Sequence, residues 1–316
     1  MRSWFLVFQF LILFTHSLLT SAVTLHHLVA FGDSLSDNGN LYEYMKHQLP
    51  LSPPYYNGRF SNGPLWIEWL TAMEYPNEHD PLLGQPHLQD YAFGGAGVTS
   101  SDDEDTLFTL SREVDSYLLA HQDKADPDSL YVIWIGSNNY LALPEDLPSA
   151  VKEVNEGIHH TIVRLIQKGA KHFLIVNLPD LGITPSAYDF DLNSFLSDAS
   201  TQHNHALKVS FDALKEAYPD VQWHFLDVYS MLNEMLFSPN PFGFTNVKDT
   251  CYESMMPELS PRAILKMVAN IQTPKADPHA CDGYLFFDIV HPGALAHRIL
   301  AENAKQILDD AGVRFE

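Results

Sequence analysis

Cysteine is scarce in this 316-residue chain, with Cys251 and Cys281 its only two. A structural zinc site of paired Cys-x-x-Cys motifs is therefore excluded, and no His-Glu-x-x-His motif occurs. The glycine-rich stretch GGAGVTS at 94–100 has Ser100 where a dinucleotide-binding loop needs a third glycine. The sequence thus implies no metal and no cofactor.

Basic residues are also few: 18 Lys and Arg stand against 40 Asp and Glu, a formal net charge of −22 at pH 7. Nucleic-acid binding needs a basic surface, so this composition argues against it. Electrostatic docking on an anionic bilayer is disfavoured for the same reason. Any contact with membranes or micelles should be transient and apolar.

Long apolar runs are missing after residue 22. The first 22 residues differ, because Arg2 precedes the run WFLVFQFLILFTHSLLTSA, which contains no acidic residue and no lysine. A basic start, an apolar run and a small-residue exit predict a signal peptide over 1–22, cleaved near Ala22. A retained membrane anchor is the alternative, since the run is long for a signal core.

Export has consequences for the rest of the chain. We expect a secreted, soluble protein, and an oxidising destination favours a disulfide between Cys251 and Cys281 over two free thiols. No Asn-x-Ser/Thr sequon occurs, so the chain offers no N-glycosylation site. We also expect a monomer.

Strand-like and helix-like patterns alternate along the chain. Val151, Val154, Ile158 and Ile162 recur at helical spacing and Gly169 follows, while 296–312 repeats the pattern at the C-terminus. Apolar runs between such helices predict short, doubly buried strands at 25–31, 87–93, 131–135, 172–177 and 221–227. This alternation predicts one α/β domain over 23–316 with a parallel sheet.

The stretch from about 240 to 285 breaks this rhythm. It is rich in proline and methionine and contains both cysteines. We interpret it as a disulfide-closed insertion or lid of the same domain, in which flexible methionine side chains would suit an acyl chain. Core packing is the commoner reason for such side chains.

Three segments with unusual chemistry follow predicted strands: GDSLSDNG at 32–39, GGAG at 94–97 and GSNN at 136–139. Ligands of open parallel sheets bind outside the carboxyl ends of the strands, so these segments should converge. Ser34 would stand at a strand-to-helix turn, where free backbone N–H groups favour developing negative charge. Ordinary helix capping is the alternative role for this serine.

A serine nucleophile needs a base, and DIVHP at 288–292 offers one. Asp288 stands three residues before His291 and could fix the ring tautomer while the imidazole takes the serine proton. The alternative is that Asp288 caps the following helix. The chain has 16 histidines, so this pair by itself is weak evidence.

Acyl transfer also needs donors for an oxyanion. Gly94 and Gly95 allow close approach of backbone N–H groups just after a strand, and Asn138 and Asn139 follow another strand. Turn formation is the alternative role for these residues.

Four blocks, FGDSLSDNGN (31–40), YAFGGA (91–96), WIGSNN (134–139) and DIVHP (288–292), resemble in order the blocks of the GDSL or SGNH hydrolases. GRFSNGPLWIEWL at 58–70 resembles the stretch that follows the first block in the lipolytic branch. Within this family, the chain resembles in particular secreted bacterial lysophospholipases A and glycerophospholipid–cholesterol acyltransferases. The resemblance implies a three-layer, flavodoxin-like α/β/α sandwich around a short parallel sheet.

The resemblance also implies site residues. Ser34, Asp288 and His291 would form a catalytic triad, and Ser34, Gly95 and Asn138 the oxyanion hole, with Gly94 not excluded as the glycine donor. Two positions depart from the family pattern. Asp90 stands where an asparagine is usual, and Asn139 where an aspartate is usual, which we expect to affect rate or stability without abolishing the chemistry.

The sequence thus predicts a serine esterase acting on phospholipids or lysophospholipids through an acyl-enzyme, with acyl transfer to a lipid alcohol as a second outcome. A carbohydrate O-acetylesterase and a non-catalytic secreted binding protein on the same fold are the alternatives.

Overall fold

The structure is a computed structural model that describes residues 23–75, 86–99, 108–252 and 281–316. The predicted signal peptide at 1–22 lies outside these residues, as does 253–280, most of the predicted insertion. The strands are β1 Val23–Leu25, β2 His27–Gly32, β3 Leu88–Asp90, β4 Ser129–Trp134, β5 His172–Val176, β6 Gln222–Leu226, β7 Asn246–Thr250, β8 Tyr284–Phe286 and β9 Val313–Phe315.

Helices connect most of these strands. They are α1 Asn40–Tyr44, α2 Trp66–Glu74, α3 Leu110–Ala120, α4 Ser137–Leu141, α5 Leu147–Lys168, α6 Pro185–Asp189, α7 Asn193–Ala217, α8 Val228–Phe237 and α9 Ala294–Asp310. Short 3-10 turns occur at Leu181–Ile183 and Asn240–Phe242.

The central sheet has five parallel strands in the order β3-β2-β4-β5-β6. All five strands predicted from apolar runs are present, although β3 is shorter than the run that predicted it. The strands β2, β4 and β5 are almost wholly buried, which explains why their sequences are continuously apolar and do not alternate. The order is the flavodoxin-like one.

Two helical layers cover this sheet. The chain moves from β2 to β3 in one direction and from β3 through β4 to β6 in the other, and right-handed crossovers therefore place the connecting helices on opposite faces. Helices α3, α5 and α7 pack together as one layer, while α2 packs against α9 as the other. The predicted three-layer α/β/α sandwich is confirmed.

Helix α5 shows why local sequence suffices for such elements. Asp146 caps it by accepting the Ser149 N–H, and Gly169, with φ of +122°, ends it in a conformation that glycine adopts at little cost. Its predicted apolar stripe is buried against the neighbouring helices.

The short strands β1 and β9, which pair in parallel, were not predicted. Three residues carry too little periodicity to be recognised as a strand. Their pairing joins the N-terminal end of the described chain to its C-terminal end.

A second small sheet, of β7 and β8, flanks the domain. Cys251 and Cys281 form a disulfide beside it, and the Cys251 N–H donates to the Phe286 carbonyl oxygen at 3.1 Å. Leu232, Met235, Phe244, Leu285 and Phe286 belong to a separate hydrophobic cluster beside the main core. The disulfide thus links the end of β7 to the start of the segment that runs through β8 to Asp288.

Replacing both cysteines with serine is expected to lower the free energy of unfolding by about 3.5 kcal/mol, because the disulfide closes a loop of 30 residues. Urea denaturation with and without dithiothreitol measures this loss. The double-serine variant should not respond to the reductant. An oxidised and a reduced protein with the same unfolding midpoint would contradict the expectation.

Candidate active site

The three predicted segments converge at one edge of the sheet. Ser34 follows β2, Gly95 follows β3, and Asn138 lies in α4 just after β4, and all three line one pocket. The pocket opens between β2 and β4, where the strand order reverses, the usual ligand position in open α/β sheets.

The Ser34 turn is fixed by its neighbours. A Cβ at Gly32 would lie 2.4 Å from the Trp134 carbonyl oxygen, so close pairing of β2 with β4 requires glycine there. Asp33 then closes the turn, because its carboxylate accepts the Leu35 N–H at 3.1 Å and its carbonyl accepts the Ser36 N–H at 3.0 Å. Ser34 is left at the pocket wall with 9% of its surface exposed.

His291 and Asp288 come from the tight loop after β8. The carboxylate oxygen Oδ1 of Asp288 accepts the backbone N–H groups of Val290 and His291, at 2.9 and 2.7 Å. Its other oxygen, Oδ2, lies 2.7 Å from His291 Nδ1. The three-residue spacing therefore brings the two side chains together within the loop, as predicted.

A continuous chain of contacts joins the three side chains, because His291 Nε2 lies 2.8 Å from Ser34 Oγ. Burial disfavours the charged form of Asp288, but His291, Tyr55 and the Val290 N–H together outweigh it and hold the pKa of Asp288 below its usual value. The carboxylate is thus an acceptor, so Nδ1 of the ring donates to it. Nε2 is then the ring nitrogen that faces Ser34 and can accept the serine proton.

The candidate oxyanion donors differ in what they already bind. The Gly94 N–H donates to Asp37 Oδ2 at 2.7 Å, whereas Gly95, with φ of +80°, lines the pocket. Asn138 donates one amide hydrogen to the Ala96 carbonyl oxygen at 2.8 Å. This bond holds the Asn138 amide beside the glycine turn.

The two departures from the family pattern have structural reasons. Both carboxylate oxygens of Asp90 accept backbone N–H groups, from Asn38 and Ala92, and an asparagine has only one acceptor oxygen. Asn139 accepts the Val98 N–H and donates to the Thr99 carbonyl oxygen. An aspartate has no donor for the second of these bonds. These bonds tie the first three blocks together.

Four carboxyl groups surround the turn, of which Asp33, Asp37 and Glu113 are buried and Asp90 is half-buried. Burial raises the pKa of Asp33 and of Asp37 to about 6 each. Burial likewise raises the pKa of Asp90 and of Glu113 well above the ordinary values, and the neighbouring carboxylates add to both shifts. Protons are therefore retained within this group at pH values where exposed carboxyls have lost theirs.

Sequence reasoning missed two of the residues that support this site. Glu113 accepts the Gly32 N–H at 2.9 Å through Oε2, while its Oε1 has no hydrogen-bond partner among the described residues. A charged residue on the buried face of α3 was the available signal. Tyr55 donates to Asp288 Oδ2 at 2.6 Å, and its sequence surroundings gave no signal.

The pocket beyond Ser34 is lined mainly by apolar side chains. Val228, Leu232 and Met235 line it at helical spacing from α8, and Ala296 and Leu300 do so from α9. Polar side chains gather at its Ser34 end. The arrangement suits a ligand with one polar, reactive end and an apolar remainder.

Other classes of site are not found in the part of the chain that the structure describes. No group of three or more histidine, cysteine or carboxylate side chains there could hold a metal ion. None of the helices in the described ranges combines the length and apolar character that crossing a membrane requires.

The fold and this site define the class to which the protein belongs, that of carboxylic ester hydrolases and acyltransferases. More narrowly, the chain belongs to the GDSL-like lipase/acylhydrolase family, whose family model matches residues 28–304.

Three relatives illustrate the range of this family. The chain is 31% identical over 335 residues to a phosphatidylcholine-sterol acyltransferase of Aeromonas hydrophila, with 98% of each chain covered. It is 29% identical to the secreted effector protein SseJ of Salmonella typhimurium, covering 87% of this chain and 61% of the relative. It is 24% identical to a thermolabile hemolysin of Vibrio parahaemolyticus, covering 88% and 62%. The chain thus spans about three fifths of the last two.

The buried carboxyls make stability depend on pH. Because the pKa of Glu113 is raised in the folded state, the folded protein retains a proton that the unfolded chain releases, and stability falls as pH rises through that window. Glu113→Gln removes this pH-dependent loss of stability, because glutamine does not titrate. We expect the stability of the variant relative to the wild type to increase with pH, by at most about 1.4 kcal/mol per pH unit.

Urea denaturation at several pH values between 4 and 8 (roughly the span from an ordinary carboxyl pKa to neutrality) measures this difference. Glu153→Gln, on the exposed face of α5, is the matched control and should show no such trend. A difference between Glu113→Gln and wild type that stays constant with pH would contradict the expectation.

Proposed function

We propose that this protein is a secreted serine esterase that hydrolyses acyl esters of phospholipids and lysophospholipids through an acyl-enzyme. The observation that carries the proposal is the unbroken chain from Asp288 through His291 to Ser34, which ends at the polar end of an apolar pocket. Ser34 is the nucleophile, His291 the general base and Asp288 the residue that orients the ring.

Catalysis would proceed in two halves. His291 Nε2 takes the proton of Ser34 Oγ as that oxygen attacks the ester carbonyl, and the imidazolium is stabilised by Asp288. The ring then gives the proton to the leaving alcohol, and the C–O bond of the ester breaks. In the second half, His291 deprotonates a water that attacks the acyl-enzyme. The bond between the acyl carbon and Ser34 Oγ then breaks, the ring returns the proton to Ser34 Oγ, and the fatty acid is released.

The oxyanion would be held by three donors, the Ser34 N–H, the Gly95 N–H and the Asn138 side-chain amide. Gly95 is favoured over Gly94 because the Gly94 N–H is already engaged by Asp37. Asn138 uses one amide hydrogen on Ala96, which leaves its second for the substrate.

The pocket supports the preference for lipid acyl chains. Val228 and Met235 are seven residues apart on one helix, about 10 Å along its axis. An apolar wall of that length suits a medium or long acyl chain and gives an acetyl group little to bind. It therefore favours lipid esters over acetylated carbohydrates, and the complete chain of contacts favours catalysis over a purely binding role.

Acyl transfer is a second outcome of the same intermediate. A relative that matches 98% of this chain carries the name phosphatidylcholine-sterol acyltransferase. If a lipid alcohol occupies the pocket mouth before water, it attacks the acyl-enzyme in the same way, and an ester forms where hydrolysis would release an acid.

Several accompanying proposals concern the protein as a whole. We infer export with removal of 1–22, in line with a relative named a secreted effector and with the disulfide. The strongly acidic protein would act as a monomer and contact membranes or micelles through transient apolar contacts.

The rate of ester hydrolysis should depend on the length of the acyl chain. We expect wild type to prefer p-nitrophenyl octanoate over the acetate and to release fatty acid from lysophosphatidylcholine. Ala296→Trp fills the pocket and should lower octanoate and lysophospholipid hydrolysis about tenfold relative to acetate hydrolysis.

Mass spectrometry with cholesterol present would show sterol ester when transfer occurs.

Ser34→Ala is the control for this assay and should lower kcat by about 10⁴-fold or more on every ester. Acetylated xylose as the best substrate would instead support a carbohydrate esterase. Failure of wild type to react with a fluorophosphonate probe would support a non-catalytic protein.

Asn138→Ala is expected to lower kcat by about 10²- to 10³-fold with little change in KM, because the lost donor acts on the oxyanion of the transition state. Asn139→Ala is the matched control, since it removes bonds to Val98 and Thr99 and should mainly lower stability. A kcat for Asn138→Ala within about threefold of wild type, well short of the loss expected for an oxyanion donor, would remove Asn138 from this role.

A further inference from the structure

Tyr55 contacts the carboxylate that orients the histidine. Its hydroxyl donates to Asp288 Oδ2 at 2.6 Å, and the same oxygen receives the hydrogen of His291 Nδ1. Two donors therefore share the charge of one oxygen, while Oδ1 is occupied by backbone N–H groups. Tyr55 and Asp288 are 233 residues apart in sequence.

The hydroxyl of Tyr55 is held firmly in this position. Its side chain is 1% exposed, and its ring packs edge to face on Phe287, with centroids 5.0 Å apart, and on Phe60 at 6.2 Å. Phe60 in turn packs against the His291 ring at 5.1 Å. The segment between α1 and α2 thus packs against both the carboxylate and the imidazole.

We propose that Tyr55 is a positioning residue that fixes Asp288 against His291 and tunes the basicity of the histidine. The consequence for turnover rests on the proposed function, while the effect on the His291 ring does not. By donating to Oδ2, Tyr55 withdraws negative charge from the oxygen that stabilises the imidazolium. The histidine is thereby kept less basic than a histidine paired with an unshared carboxylate.

Tyr55 stays a donor throughout the physiological range. Burial, followed by the charge of Asp288, raises the pKa of the Tyr55 hydroxyl, so the hydroxyl does not ionise beside the carboxylate. A phenylalanine would preserve the ring packing and remove only this hydrogen bond.

Two other titratable groups act on His291 electrostatically and remain in any Tyr55 variant. Asp33, on the Ser34 turn, is a carboxyl whose pKa is raised by burial to about 6. His297, on α9, is fully buried, and burial lowers its pKa to about 3, so it stays neutral near pH 7. Both groups are present in the wild type and in the variant. A difference in the pKa of His291 between the two proteins is therefore due to the Tyr55 hydroxyl.

The test compares Tyr55→Phe with wild type by two measurements. The first is the pKa of His291 from NMR titration of its ring proton, assigned by the signal lost in His291→Gln. The second is the pH profile of kcat/KM. We expect both the ring pKa and the acidic limb of the profile to rise by about one pH unit. We also expect kcat to fall, because the carboxylate is less well held.

Tyr75→Phe is the matched control, because Tyr75 also donates through a buried hydroxyl, to the His26 carbonyl oxygen at 2.6 Å. That bond lies at the amino end of β2, at the opposite edge of the sheet, and its loss should leave both measurements unchanged.

A second variant covers the case in which Tyr55→Phe fails to fold. Incorporating 3,5-difluorotyrosine at position 55 keeps the ring and the hydroxyl but strengthens the donor, and it should lower the pKa of His291. If neither change moves that pKa, or if Tyr55→Phe lowers kcat without shifting the profile, the proposal is overturned. Absence of Ser34-dependent turnover in wild type would overturn the proposed function alone, since the ring titration needs no substrate.

Discussion

The buried carboxylate of Asp288 is the interaction on which the rest of the site depends. It carries a negative charge with none of its surface exposed, and it is tolerated because four hydrogen bonds reach its two oxygens. The backbone bonds determine the conformation of the 288–291 loop, and the bond from His291 Nδ1 determines the ring tautomer. The bond from Tyr55 holds the segment between α1 and α2 against the site. Removing any donor would therefore change the charge distribution on the carboxylate and the chemistry at this point.

The carboxyl groups beneath the Ser34 turn are in a different situation. Asp33, Asp37, Asp90 and Glu113 receive hydrogen bonds from backbone N–H groups, yet burial still raises the pKa of each one. Neighbouring carboxylates add to the shift for Asp33, Asp90 and Glu113. One oxygen of Glu113 even lacks a partner among the described residues. Such a group costs stability. Glu113 nevertheless stabilises the end of β2, because its carboxyl accepts the N–H of Gly32, two residues before Ser34.

Sheet topology and apolar packing together give the site its orientation. The reversal of strand order places Ser34 and Asn138 just beyond the carboxyl ends of two neighbouring strands, β2 and β4. The pocket then runs along α8 and α9, where the main core meets the separate cluster around Phe286. The same β8 strand that supplies this wall leads directly into Asp288. The apolar pocket wall and the orientation of the histidine therefore share one segment, whose start at Cys281 the disulfide fastens to Cys251.

The sequence by itself determined the elements whose cause is local. Apolar runs predicted the five strands of the sheet, the spacing of Val151, Val154 and Ile158 predicted a helix, and the short separation of Asp288 and His291 was enough to pair them. Only the tertiary structure decided which glycine N–H stays available, which residues line the pocket, and that Tyr55 and Glu113 support the site. Those contacts join residues 57, 233 and 81 positions apart, and no periodicity records them, because they arise when separate elements pack.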